Sequence, residues 1–105
     1  MSLSPHDLCF LSIADASQLI ATGKLSPVEL LDAHLARIEE TDVSLNSFIT
    51  LLDSESRLAA KKAEASITNK NYLGPLHGIP IGLKDLYYTK GVRTTVGSKI
   101  LKNFV

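Results

Sequence analysis

The sequence has 105 residues, of which 45% are hydrophobic and 21% are charged, as expected for one small soluble domain. Eleven basic and eleven acidic side chains give a formal net charge of zero, so the overall charge favours neither nucleic acid nor an anionic membrane as a partner. The single cysteine, Cys9, excludes an internal disulfide and a cysteine-rich zinc site.

The beginning of the sequence lacks the basic region and the apolar stretch of a signal peptide. No apolar run approaches the roughly 20 residues that are needed to span a bilayer. We therefore expect a cytoplasmic protein.

Two amphipathic helices are predicted first. One begins near Ser12 and ends at Gly23, which suits a left-handed terminating position. The other begins at Ser26, with Pro27 at its first position and Glu29 placed to close a capping box. We therefore interpret Ser26 as a helix cap and not as a nucleophile. The apolar stripes of the two helices recur at helical spacing: Ile13, Ala16, Ile20, and then Val28, Leu31, Leu35, Ile38.

A strand, a helix and a second strand are predicted next. Residues 46–52 form the first strand, a helix capped by Asp53 runs to about Asn69, and residues 79–83 form the second strand after a turn at 74–78. This order indicates a βαβ unit with parallel strands. Because two strands alone do not make a stable sheet, we predict an α/β fold, incomplete in this chain: helices followed by a βαβ unit of a larger mixed sheet.

The last part of the chain is predicted to contain a loop over 85–95 and a short helix over 98–104. Lys84 precedes this loop, at the carboxyl end of the second predicted strand, where open α/β sheets bind ligands. From position alone, Lys84 is either a functional amine or a side chain that simply enters solvent. A phosphate-binding loop is not favoured, because Leu83 separates Gly82 from Lys84.

Two motifs then occur together. Residues 78–85 read Gly-Ile-Pro-Ile-Gly-Leu-Lys-Asp, and residues 91–98 read Gly-Val-Arg-Thr-Thr-Val-Gly-Ser. In combination they resemble the N-terminal part of the amidase signature family, which includes bacterial amidases and the A subunit of glutamyl-tRNA(Gln) amidotransferase. Residues 25–30 and 45–50 are also similar to segments of such enzymes.

The resemblance implies that residues 1–105 are an N-terminal fragment of a single amidase domain. It also implies a Ser–cis-Ser–Lys group that hydrolyses carboxamide C–N bonds without a cofactor or a metal, with Lys84 matching the lysine. The family's two serines lie in a Gly/Ser-rich segment that this sequence lacks, so we expect the chain alone to be inactive. Thr94, Thr95 and Ser98 match the second motif, and we interpret them as hydroxyls that order the loop around the site.

The chemistry requires an uncharged lysine. A serine hydroxyl becomes a strong nucleophile only when a base takes its proton, and a free lysine, with a pKa of about 10.4, must be buried to act as that base near neutral pH. A carboxylate directed at Lys84 would oppose this. Because neighbouring side chains of a strand point to opposite faces, we expect Asp85 to turn away from Lys84. Arginine could not replace Lys84, because it keeps its proton.

The partners implied are a small-molecule amide and the remainder of the chain or another subunit; which amide is bound stays open. A different class of function is a non-catalytic interaction module or split-chain subunit, in which the helices over 12–41 dock a partner through their apolar stripes. His77 is interpreted as a turn residue. His6, Asp7 and Cys9 make only a weak case for a metal site, and Cys9 is interpreted as a small buried hydrophobic residue.

Overall fold

The computed structural model describes residues 3–105 and contains four α-helices in this range. They are α1 (Pro5–Cys9), α2 (Ile13–Ala21), α3 (Pro27–Leu45) and α4 (Asp53–Thr68). From residue 69 onward the described backbone follows turns and irregular structure. None of the helices within residues 3–105 combines the length and the apolar character that crossing a membrane requires.

The starts of α2 and α3 confirm the helix predictions. Ser12 caps α2 by accepting a hydrogen bond of 3.0 Å from the Asp15 amide, and Gly23 follows the helix in the left-handed region with φ of 76°. Ser26 caps α3 by accepting a bond of 3.0 Å from the Val28 amide. In place of the predicted capping box, the Ser26 hydroxyl donates to the carboxylate of Glu64 on α4, so it links two helices.

The short helix α1 was not predicted, although its signal is present in the sequence. Ser4 accepts from the Asp7 amide at 3.1 Å, and the Asp7 carboxylate accepts from the Ser4 amide at 3.2 Å, which completes a capping box. The predicted cap at Asp53 is wrong by one residue. The cap position of α4 is Leu52, which makes no side-chain bond, and Asp53 lies in the first turn, where a carboxylate favours the helix dipole.

Helix α3 carries the core on two sides. One buried cluster joins it to α1, α2 and the connection that follows α2: Leu8, Ala16, Ile20, Leu25, Leu30 and Ala33. The second cluster lies between α3 and α4 and consists of Leu31, Leu35 and Ala60. The small side chain of Ala60 lets the two helices approach closely. The apolar stripe of α3 is therefore covered from within the chain.

The prediction of a βαβ unit is wrong for this chain. Residues 46–52 and 79–83 contain no strand, and the part of the chain that the structure describes contains no sheet. Amide and carbonyl groups of a strand need a neighbouring strand to pair with, and neither segment finds one here. Ile81 and Leu83 are accordingly 72% and 59% exposed. The predicted helix over 98–104 is also absent; isolated turns occupy these residues.

The last third of the chain docks onto the helices at Gly78. This glycine has φ of 83°, and a Cβ atom added to it would lie 2.7 Å from Cγ of Pro27, the first residue of α3. The next residue, Ile79, packs against the cluster that contains Ile20. A glycine is therefore required at position 78 both by the backbone conformation and by the close contact.

We expect Gly78→Ala to destabilise the protein more than Gly91→Ala does. Gly91 also has a positive φ, of 74°, but a Cβ added to it meets no atom within 4 Å. Gly91→Ala should therefore cost only the left-handed strain, about 1–2 kcal/mol. Gly78→Ala should add an overpacking cost of about 1–3 kcal/mol. Urea unfolding of the three proteins measures this difference, and equal midpoints for the two variants would show that the contact with Pro27 is unimportant.

Candidate functional site

Lys84 lies at the beginning of a tight turn and not at the end of a buried strand. Its carbonyl accepts hydrogen bonds from the amides of Leu86 at 2.7 Å and Tyr87 at 3.2 Å, so the backbone at Lys84 is fixed. Its side chain is exposed and makes no hydrogen bond or ion pair with any described residue. The buried environment predicted for the amine is not found within residues 3–105.

The carboxylate of Asp85 is bound by Thr95. The Thr95 amide donates to Asp85 Oδ1 at 2.8 Å, and the Thr95 hydroxyl donates to Asp85 Oδ2. The backbone carbonyl of Asp85 also accepts from the Val96 amide at 2.8 Å. We call this arrangement the Asp85–Thr95 clasp. It directs the Asp85 carboxylate to Thr95, as the expectation that it turns away from Lys84 requires, although loop contacts and not strand alternation bring this about.

Thr94 and Ser98 lie beside the clasp. Thr94 is 2% exposed; its amide donates to the Phe104 carbonyl at 2.9 Å, while its hydroxyl makes long contacts of 3.4 Å with the carbonyls of Tyr87 and Val92. The Ser98 amide donates to the Thr95 carbonyl at 2.9 Å. The two motifs are thus connected by bonds between residues about ten positions apart. Sequence reasoning missed Asp85 as the acceptor that joins them.

The clasp changes the acidity of Asp85. Hydrogen bonds from the Thr95 hydroxyl, and then from the Thr95 amide, lower the pKa of the Asp85 carboxyl below its usual range. The amide of Gly97 and the positive charge of Arg93 act in the same direction and contribute less. Asp85 therefore stays ionised through the pH range in which most enzymes work.

Several apolar side chains close to Lys84 in the sequence are exposed. Besides Ile81 and Leu83, the side chains of Tyr87 and Tyr88 on the following turn are 59% and 70% exposed. The Phe48 ring lies beside Gly82, 3.7 Å from where a Cβ of that residue would be. This many exposed apolar side chains in one short segment are typical of a contact site.

The other candidate residues take part in turns, helix caps and packing. His77 Nδ1 accepts from the Leu73 amide at 3.0 Å within the turn. Cys9 Sγ donates to the Ala33 carbonyl at 3.3 Å and packs against the first cluster, and Asp7 caps α1. His34, for which no functional role is proposed, lies on α3, where partial burial lowers its pKa. Within residues 3–105, no three side chains of His, Cys, Asp or Glu converge in a way that would hold a metal ion.

The chain belongs to the amidase family. The family model described as Amidase matches residues 29–105, a range that contains Lys84 and both motifs. The chain is 48% identical over 100 residues to the A subunit of glutamyl-tRNA(Gln) amidotransferase from Gluconobacter oxydans (strain 621H), which is 95% of this chain and 19% of that protein. It is 39% identical over 105 residues to the protein of the same name from Anaeromyxobacter dehalogenans (strain 2CP-C), which is 100% of this chain and 21% of that protein.

The match is confined to a part of each relative. A third protein with the same name, from Rhodospirillum rubrum, is 47% identical over 95 residues, or 90% of this chain and 19% of its own length. The chain thus spans about a fifth of the length of the curated relatives it matches. No solved structure matches it.

We expect the Asp85–Thr95 clasp to be lost in acid. A carboxyl whose pKa is lower in the folded state contributes stability that is fully present above its unfolded pKa, about 3.9, and is lost as the pH falls through the folded value. The Thr95 amide resonance in NMR spectra should therefore change with a midpoint below about 3.9. In Asp85→Asn this change should vanish; a Thr95 midpoint at or above the unfolded value would contradict the clasp.

Proposed function

We propose that this chain provides the N-terminal, Lys84-bearing segment of an amidase domain that hydrolyses carboxamide C–N bonds. The observation that carries the proposal is the family match over residues 29–105, because it includes the Gly-Ile-Pro-x-x-x-Lys-Asp motif and the Thr-Thr-x-Gly-Ser motif together. In the proposal Lys84 is the base of a Ser–cis-Ser–Lys group, and both serines come from polypeptide beyond the 105 residues. Thr94, Thr95 and Ser98 keep the loop beside Lys84 ordered.

The proposed reaction has two stages, the formation of an acyl-enzyme and its hydrolysis. Lys84, uncharged, receives the proton of the nucleophilic serine through the bridging serine, while the serine oxygen bonds to the carbonyl carbon of the amide. The C–N bond then breaks, and the leaving ammonia or amine takes the proton from Lys84. Water repeats the sequence on the acyl-enzyme, which frees the carboxylic acid and restores the serine hydroxyl.

The exposure of Lys84 is compatible with this proposal only if further polypeptide covers it. An amine in water keeps its proton at neutral pH, whereas an amine under apolar cover loses it more readily. In the proposal, the exposed side chains of Ile81, Leu83 and Tyr88, which are close to Lys84 in the sequence, supply one wall of such an environment. The greater length of the relatives supports the view that the opposite wall comes from the rest of an amidase domain.

A docking role for the front helices receives less support. The two stripes that were expected to dock a partner are largely occupied inside the chain. Leu31 and Leu35 of α3 pack against Ala60 of α4, and Ala16 and Ile20 of α2 lie in the first cluster. The relatives are named as subunits, so we propose that the complete protein also has a partner subunit.

The test compares lysine variants in the full-length protein that carries this segment. Lys84→Ala and Lys84→Arg should each lower kcat/KM for amide hydrolysis by about 10²–10⁴-fold, because the serine loses its base and arginine cannot replace it. Lys90→Ala, which removes another exposed lysine nearby, is the matched control and should keep wild-type activity. The rate of ammonia release measures the activity of the wild type and of the three variants.

Three results would contradict the proposal. One is full activity of Lys84→Ala in the full-length protein. Another is ammonia release by the 105-residue chain alone that disappears in its own Lys84→Ala variant, since the chain would then act without the two serines. The third is activity lost equally in Lys84→Ala and Lys90→Ala, which would argue against a specific role for Lys84.

A further inference from the structure

The residue that follows Lys84 poses an electrostatic problem for the proposed function. A carboxylate within a few ångströms of an amine stabilises the protonated form and raises the pKa of that amine, by about 1–3 units for a close pair. Asp85 is adjacent in sequence to Lys84, and hydrogen bonding keeps it ionised. A base that must be neutral therefore has a neighbour that is negatively charged at neutral pH.

The geometry of the loop directs this carboxylate to Thr95. Both carboxylate oxygens of Asp85 are used by Thr95, one by its amide at 2.8 Å and the other by its hydroxyl. Thr95 is 3% exposed, so water does not compete freely for its hydroxyl. The Thr95 hydroxyl oxygen also accepts from the Gly97 amide at 3.2 Å, which leaves its own proton directed to Asp85.

We propose that Asp85 is a positioning residue of the amidase site, held by Thr95 so that its carboxylate anchors the loop and does not pair with the Lys84 amine. This inference rests on the proposed function of Lys84 and adds a second task for the residue beside it. No ion pair joins Lys84 and Asp85 in the described chain. The charged group that acts on Asp85 is Arg93, and Thr95, which hydrogen-bonds the carboxylate, is neutral.

The clasp could only order the loop, or it could also keep the Asp85 carboxylate away from Lys84. These two roles lead to different kinetics when the clasp is broken. If the clasp only orders the loop, breaking it lowers kcat or raises KM and leaves the pH dependence in place. If it withholds charge, breaking it releases a carboxylate that pairs with Lys84. The acidic limb of kcat/KM, which reports the ionisation of the base in the free enzyme, then moves to higher pH.

The experiment measures pH profiles of kcat/KM for full-length variants. Thr95→Val keeps the shape of the side chain and removes the hydroxyl, so its acidic limb should move up by about 1 pH unit. Adding Asp85→Asn to Thr95→Val removes the released charge and should return the limb to its wild-type position. Thr94→Val is the matched control for the limb position, because Thr94 is equally buried and its hydroxyl does not contact Asp85.

An unshifted limb in Thr95→Val overturns the proposal, whatever happens to the rate. If Thr95→Val does not fold, Asp85→Asn alone decides. The limb of that variant should stay in place, since the charge it removes does not act on Lys84 in the wild type, and movement to lower pH overturns the proposal.

A second readout separates this proposal from the function on which it rests. In a Lys84→Ala background, where no amine can pair with the released carboxylate, the Asp85 carboxyl carbon is titrated by ¹³C NMR. Its pKa should be higher after Thr95→Val than without a further substitution or after Thr94→Val. An unchanged Asp85 midpoint overturns the clasp without reference to catalysis. Full activity of Lys84→Ala overturns the proposed function, and the Asp85 titration then still decides whether Thr95 holds the carboxylate.

Discussion

The fold of this chain depends on the two-sided burial of α3. Leu30 and Ala33 face the cluster formed with α1 and α2, whereas Leu31 and Leu35 face α4. Without α3 neither cluster would have a second wall, and the shorter helices have too few apolar residues to bury surface among themselves. The start of α3 makes further contacts that hold the fold together. Pro27 lies against Gly78, and the Ser26 hydroxyl donates to the carboxylate of Glu64 on α4.

Order in the last third of the chain comes from a different source. Between residues 82 and 105 the only buried side chains are those of Thr94 and Thr95, and both are polar. Hydrogen bonds between the two motifs therefore fix the conformation of this segment, whereas apolar packing fixes that of the helical part. Such bonds gain modest net free energy each, and Asp85 contributes more than a neutral acceptor would because it is charged. The segment proposed to carry the base is held at its backbone while its apolar side chains stay exposed.

Much of the helical part could be predicted from the sequence. Ser12 and Ser26 are caps with local partners, and local bonds follow from local sequence. Helix α1 has the same kind of signal in Ser4 and Asp7 and was overlooked. The strands over 46–52 and 79–83 were predicted from apolar content, and that prediction is wrong here. The pairing of strands depends on residues elsewhere in a protein, which the pattern within one segment does not specify.

The sequence by itself determined the family, through the two motifs around Lys84 and Thr95, and it determined where α2 and α3 begin. Only the tertiary structure decided that Asp85 binds Thr95, that Gly78 rests on Pro27, and that the Lys84 amine has no cover within residues 3–105. The physical reason is range. Capping and helical periodicity act over three or four residues, whereas the direction of a carboxylate and the burial of an amine are set by groups that the fold brings together from distant positions.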